Sequence, residues 1–544
     1  MSLSLSILGL TFFVYIYRLY RRLTRTPLSD LPGPEPKTFV AGNLHQFLHG
    51  QAGEIDLQWQ AEYGDVVKFK GPFGQDILLI SDPKAVQYFY HTSGYTFPKP
   101  ADRKEINRLF TGPGILCADE VDHLRHRKII SPAFNFGVIR DYVPVFNYHA
   151  AKLTTKWKES IAESPDGQSV LNLCNWYAKT TLDALGIAVF DYDFGSLDNK
   201  ENRLGKIYSN LCIESFATLS RREITAQAVT SLIPPRILVI LLKLIPNPRL
   251  DKLHEAYAVG YSVAKEMLEM KTKEFTNGKG THDIMSLLIR ANASSDQASQ
   301  MSEEEMVAQI ITILLAGYDT SGSSLVWASL ELARHPEVQT KLRREIRKKA
   351  LEIQKRGETE FSAVDLESMP YLAAVLKESL RYHAVSYNHY RESAKDTVLP
   401  LSKSITTRSG RVINEIVVPK GTKMITSVNG YHRHPDVFGP DADTFNPDRW
   451  LNNTTRTEKQ VSVGMYGGLL SFAGGVMSCV GWRFAVLEMQ AILVELVNNF
   501  EFTLTPEAQM VRKEACSLLM VPTIEGHGAQ RMLPISVKIA PQDD

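Results

Sequence analysis

Phe472-Ala473-Gly474-Gly475-Val476-Met477-Ser478-Cys479-Val480-Gly481 decides the reading of this chain. One cysteine stands between glycines, behind a phenylalanine and ahead of a helix-like run, Trp482-Arg483-Phe484-Ala485-Val486-Leu487-Glu488-Met489. The glycines let backbone pass close to a flat macrocycle and turn N–H groups toward the sulfur. A thiolate presented this way is what a haem iron takes as an axial ligand, and it pushes electron density onto the metal so as to favour O–O cleavage. The competing reading is a buried structural cysteine beside a glycine-rich turn.

Around that loop the chain is ordinary in bulk. It has 544 residues, 44% hydrophobic and 22% charged, enough for a large core without covalent staples. A net charge of +1 gives no global argument for nucleic acid as a partner. Cys117, Cys174, Cys212, Cys479 and Cys516 are scattered, odd in number and free of any C-x-x-C pair. That argues against a disulfide framework and against structural zinc, and fits a reduced compartment with one cysteine set apart.

The N-terminus differs in kind. Ser2 to Tyr17 carries no charge, and Arg18, Arg21, Arg22 and Arg25 follow at once. As a helix the uncharged run covers ~24 Å, short of a ~30 Å hydrocarbon core, with Arg18 able to snorkel. No basic residue precedes the run and no small-residue cleavage site follows it, so a retained single-pass anchor over residues 1–25 is expected in preference to a signal peptide. The basic flank keeps its side cytosolic. Leu31-Pro32-Gly33-Pro34-Glu35-Pro36 reads as a stiff spacer, giving a hinge over 26–45 and a globule over 46–544.

Within the globule, Val66–Lys70 and Ile77–Ser81 flank Gly71-Pro72-Phe73-Gly74 and read as a hairpin. Beyond Pro83 apolar periodicity predicts helices near 141–163, 169–190, 249–277 and 302–334, with strand-like pieces around 396–428 and 516–540 and an exposed loop over 291–300. The fold class is mainly α with small β-sheets. Residues 231–250, with Ile237 to Leu242 bracketed by Pro234-Pro235 and Pro246, read either as a buried core helix or as a surface element dipping into a membrane.

Further motifs converge on the first. Leu315-Ala316-Gly317-Tyr318-Asp319-Thr320-Ser321 lies mid-way along an apolar helix. Its small Ala316-Gly317 pair leaves room for a ligand, and Asp319 and Thr320 offer a carboxylate beside a hydroxyl. Glu378 and Arg381 share one helix face, either as solvated decoration or as a buried pair needing further partners. His123-Leu124-Arg125-His126-Arg127-Lys128 is a basic run, and Phe445-Asn446-Pro447-Asp448-Arg449-Trp450 holds another arginine.

Together these stretches resemble the cytochrome P450 monooxygenases. The 472–481 loop is similar to the family's Phe-x-x-Gly-x-Arg-x-Cys-x-Gly, departing only at Met477. The resemblance runs over about 31–540, its motifs in family order, and the overall style is similar to fungal microsomal members, many of which decorate secondary metabolites. It implies the cytochrome P450 fold behind one transmembrane helix, and haem b held by the Cys479 thiolate with Phe472, Gly475, Gly481, Ala316 and Gly317 around it. Asp319 and Thr320 then serve proton delivery during dioxygen cleavage, and Glu378, Arg381 and Arg449 form a structural triad. His123 (where the family has tryptophan), Arg127 and Arg391 fall at propionate-binding positions. The Met477 and His123 departures touch one function, so the expectation is that haem is held less tightly.

The resemblance further implies a lipophilic substrate of terpenoid, sterol or polyketide kind, lined by Phe97, Phe110, Ile311, Leu315, Val385 and Tyr387. The chain shows no flavin or nicotinamide motif, so electrons would come from an NADPH–cytochrome P450 reductase, with cytochrome b5 as an optional second donor. Arg125, Lys128 and Arg483 read equally as docking contacts or solvated charge. The expected place is the endoplasmic reticulum membrane with a cytosolic catalytic domain. Two rivals stay open: a hydroperoxide-rearranging or peroxide-using haem-thiolate enzyme, and a haem-binding carrier or sensor without turnover. The intact Asp319-Thr320 pair disfavours both.

Overall fold

The computed structural model describes residues 26–542 apart from 201, 218, 232, 235–236, 238–239, 241–245, 278–282, 295, 297–298, 452–461, 518 and 529, together with Phe13, Val14 and Tyr17. The expected anchor otherwise lies outside the described residues. Among those described, no helix is long and apolar enough to cross a membrane. Half of 231–250 also falls outside; of its described residues Ile237 and Ile240 are exposed.

In chain order the elements used below are α1 (Glu54–Tyr63), β1 (Val66–Lys70), β2 (Asp76–Ile80), α2 (Glu120–Ile130), α3 (Val143–Ala162), β3 (Gln168–Asn172), α4 (Leu173–Leu185), α5 (Leu211–Phe216), α6 (Pro248–Thr276), α7 (Glu303–Arg334) and α8 (Pro336–Lys355). They continue with α9 (Pro370–Tyr382), β4 (Asn388–Glu392), β5 (Thr397–Thr406), β6 (Val412–Val418), β7 (Lys423–Ser427), α10 (Trp482–Asn499), β8 (Phe500–Leu504), β9 (Val511–Cys516), β10 (Leu519–Ile524) and β11 (Pro534–Ile539). Helices dominate and the sheets are small, as the periodicity predicts. The chain forms two compact units, one from 1–102, 219–244 and 388–431, the other from the remainder.

The first unit carries a four-stranded sheet in the order β1-β2-β7-β4 and a β5–β6 hairpin. The predicted β1–β2 hairpin pairs Val66 with Ile80 and Lys70 with Asp76. Trp59 of α1 packs with Val67, Phe69, Ile77, Leu79 and Ile425. The proline-rich spacer is docked here rather than standing free. The Pro32 carbonyl accepts from the Lys68 amide at 2.9 Å, and a Cβ on Gly33 would lie 1.8 Å from the Lys68 carbonyl oxygen, so only glycine fits.

The second unit holds the helices from α2 to α10 and the sheets β3-β11-β8 and β9-β10. Predicted and observed helices agree over α3, α6 and α7. Two boundaries differ: 168–172 is strand β3, paired to β11, and the helix 284–294 takes the first residues expected in the 291–300 loop. α7 is the spine. Ser302 caps it with a reciprocal Glu305 bond and Glu303 to Glu305 complement its N-terminal dipole; it stops at His335, ahead of Pro336. It is buried nearly all round, the mark of a core helix. Trp157, Tyr177, Phe500 and Phe502 cluster between α3, α4 and β8, each burial worth roughly 1.5–3 kcal/mol.

Candidate active site

Cys479 sits three residues ahead of α10. Its amide donates to the Phe472 carbonyl at 2.9 Å and the Ser478 amide to the Gly475 carbonyl at 3.2 Å, closing the loop with one wide turn and one tight turn. Those turns need left-handed backbone at Gly475 (φ 62°) and at Ala473 (φ 54°). The loop is pinned from below, where the Leu470 amide donates to His432 Nε2 at 2.8 Å. Cys479 is exposed. Surrounding protein raises its thiol pKa by desolvation, against the Gly481 N–H and Arg127, which lower it. A coordinated cation is what would deprotonate this thiol.

Arg127, on α2, donates to the Ser478 carbonyl and, at 3.2 Å, to the Ser478 hydroxyl. The expected propionate residue is therefore also a clamp on the cysteine loop, a role the sequence does not suggest. His123, one turn earlier, is buried. Arg391 lies in the first unit, on β4, where its Nη1 donates to the Tyr390 carbonyl at 2.8 Å. Arg125 is tied to Glu305 at 2.5 and 3.0 Å and to Asp122 at 3.1 Å, so it is not a free docking contact. Lys128 is exposed, and Arg483 lies 4.3 Å over the Trp482 ring.

On α7 burial breaks at one place. Ala316 is exposed, and Ile313, Leu315, Gly317 and Thr320 are half-buried, between turns that are closed on every side. Ile313, Ala316 and Thr320 share a face by helical spacing. The Thr320 hydroxyl donates to the Ala316 carbonyl at 2.6 Å. The structure divides the small-residue pair: Ala316 is open, whereas Gly317 makes room for α4, since a Cβ there would come within 2.7 Å of Leu185 Cδ1.

Asp319 is buried and paired with Arg531, whose other nitrogen donates to Ser323 Oγ at 2.7 Å; Cys212 lies 3.6 Å from the second Asp319 oxygen. Burial pushes the Arg531 guanidinium toward neutrality, but Asp319 outweighs it and holds the charge. Arg531 escaped sequence reading because it stands in an irregular stretch before β11 with no motif around it.

The triad assembles. Glu378, fully buried, accepts from Arg381 Nε (2.8 Å) and Nη2 (2.7 Å), Arg449 Nε (3.0 Å), the Asn446 amide (2.7 Å) and Trp450 Nε1 (2.9 Å). Arg381 spends its remaining donors on the His432, Ala442 and Thr444 carbonyls. This satisfaction is what a buried ion pair requires.

Of the residues expected to line a substrate, Phe110 and Leu315 are half-buried and Phe110 stands edge-on to Phe216 at 6.1 Å. Val385 and Tyr387 are buried beside β10, with the Tyr387 hydroxyl on the Ser517 carbonyl at 3.1 Å. Ile311 is fully closed, directed at α6, and Phe97 stacks on Phe89 at 4.8 Å in the first unit.

An open, desolvated thiol, a cationic clamp beside it and one bared small-residue face on the spine helix fit a flat, largely apolar macrocycle with a thiolate ligand. These features define a haem-thiolate protein. The family model for cytochrome P450 matches residues 32–526. The chain is 33% identical to cytochrome P450 monooxygenase claU of Ampulloclitocybe clavipes over 97% of its length and 95% of the relative's. It is 32% identical to cytochrome P450 monooxygenase 91 of Postia placenta, covering 90% of each, and 32% identical to a ganoderic acid synthetase of Ganoderma lucidum, covering 98% of each. The chain belongs to the cytochrome P450 family and is a monooxygenase carrying haem on a cysteine thiolate.

Proposed function

We propose that this monooxygenase places one oxygen atom from O2 into a lipophilic small molecule of terpenoid, sterol or polyketide kind, in secondary metabolism, with electrons from an NADPH-dependent reductase. The observation that carries the reading is the conjunction of an open Cys479 with an open Ala316–Thr320 face. Cys479, with Arg127 and His123, would hold the haem, which when bound supplies the one-electron and dioxygen chemistry. The remaining work falls to the chain. Arg127 fixes the loop that aims the sulfur. Thr320 holds a proton at Oγ1 on the open face and must leave the Ala316 carbonyl to pass it on. Asp319 is held by Arg531 and is freed to serve the open face only on turning away from it. Phe110, Leu315, Val385 and Tyr387 favour an apolar ligand, and the relative named a ganoderic acid synthetase supports a biosynthetic setting.

The apolar run 2–17 with its basic flank, and exposed Ile237 and Ile240, support attachment to the endoplasmic reticulum membrane with the catalytic part cytosolic. The test is a terpenoid and steroid panel screened for substrate-induced spin-state shifts, then turnover. Hydroxylated or epoxidised product that requires NADPH and reductase is expected. Product formed from a hydroperoxide without either would overturn the reading.

A further inference from the structure

Glu488 is a buried acid that nothing above uses. It lies on α10, the helix that begins just after Cys479, and its side chain is fully closed to solvent. Neither carboxyl oxygen has a hydrogen-bond partner among the described residues. The group that acts on it is Ser321, the residue after Thr320 on α7, which stands beyond direct bonding geometry. An ionised carboxylate without a donor or a cation is far too costly to keep there. A neutral acid is affordable if its O–H and carbonyl find a partner, and a water touching two such groups is the usual solution. Burial pushes the Glu488 carboxyl up to about 8, against the Ser321 hydroxyl, which lowers it.

We propose that Glu488 is a positioning residue: as a neutral carboxylic acid it shares a buried water with Ser321, and so fixes the helix that starts at the thiol against the helix that carries Thr320. The inference rests on the proton-delivery reading of Thr320, and two readouts keep the two separable. The first is infrared difference spectroscopy of haem-loaded wild type against Glu488→Gln near neutral pH. A protonated-carboxyl carbonyl band that shifts on H/D exchange is expected; an ionised-carboxylate band instead overturns the proposal whatever Thr320 does.

The second readout is peroxide released per NADPH consumed. Glu488→Leu should keep the carbon monoxide spectrum and raise that ratio about fivefold, the rate equivalent of one hydrogen bond. Glu488→Gln should restore it, and Ser321→Ala should reproduce the defect without adding to it. Unchanged coupling in Glu488→Leu and Ser321→Ala, in an enzyme where Thr320→Ala does uncouple, overturns the proposal. Where Thr320→Ala itself leaves coupling intact, the reading of Thr320 falls, and the infrared band alone decides the state of Glu488. Should Glu488→Leu not fold, Ser321→Ala and the infrared comparison carry the decision.

Discussion

Arg531 is locked onto Asp319, 212 positions earlier in the chain, in a pair whose side chains are each 6% exposed. A buried pair of this kind is costly to break and cheap to replace whole. Arg531→Met should therefore cost about 3–5 kcal/mol, seen as a lower thermal midpoint of the haem-loaded protein, because it strands a carboxylate. The double variant Asp319→Asn/Arg531→Met should recover most of that loss. Additive losses in the two single variants would show that the residues do not act as a pair.

Glu378 collects five hydrogen bonds from two arginines, a tryptophan and a backbone amide. Glu378→Gln keeps the shape but leaves two guanidinium groups short of charge in a closed site. We expect little or no haem-loaded protein from this variant and rapid limited proteolysis around 432–450. Arg449→Lys should fail less completely, since it keeps the positive charge, but it should still fail in part, because an ammonium cannot reproduce the fork that reaches Glu378, Phe438 and Asp441 together.

Acid stability should depend on the Glu305 cluster. Burial raises the Glu305 carboxyl, but bonds from Arg125, the Ser302 amide and His126 outweigh it and lower it to about 2. A depressed carboxylate contributes stability that is present above its unfolded value of ~4.3 and is lost as pH falls toward the folded value. Wild type should thus lose roughly 2–3 kcal/mol from this group between about pH 4.5 and pH 2, and Glu305→Gln should flatten that part of the profile. Parallel acid denaturation curves for the two proteins would contradict it.

Met477 stands where relatives with the Phe-x-x-Gly-x-Arg-x-Cys loop place a cation, and a thioether cannot pair a carboxylate. Met477→Arg should leave the carbon monoxide spectrum unchanged and slow haem transfer to apomyoglobin severalfold, the effect of one charge-assisted bond. An unaltered transfer rate would mean that Arg127 and its neighbours already satisfy the propionates.

The helical spine was legible because its signals are local. Ser302 with Glu305 marks a start, Pro336 a stop, and the apolar period between them is unbroken. The cysteine loop was legible for a different reason, its residue types standing at a spacing that the chemistry of a thiolate ligand requires, whereas the triad was implied only by the resemblance to the family. Arg531 and the Ser478 end of the Arg127 clamp were not, since each depends on a contact hundreds of residues away with no periodicity to announce it. The docking of the proline segment was not legible because its partner, the Lys68 backbone, leaves no mark in side-chain sequence. Gly317 looked like room for a ligand until Leu185 was seen to fill it.

The thiolate bond from Cys479 is the claim on which the rest depends. Dithionite-reduced protein exposed to carbon monoxide should show the strongly red-shifted Soret band of a sulfur-ligated haem, and Cys479→Ser should abolish that band while the fold, followed by far-UV circular dichroism, persists. A red-shifted band that survives in Cys479→Ser, or its absence from haem-replete wild type, would contradict the account.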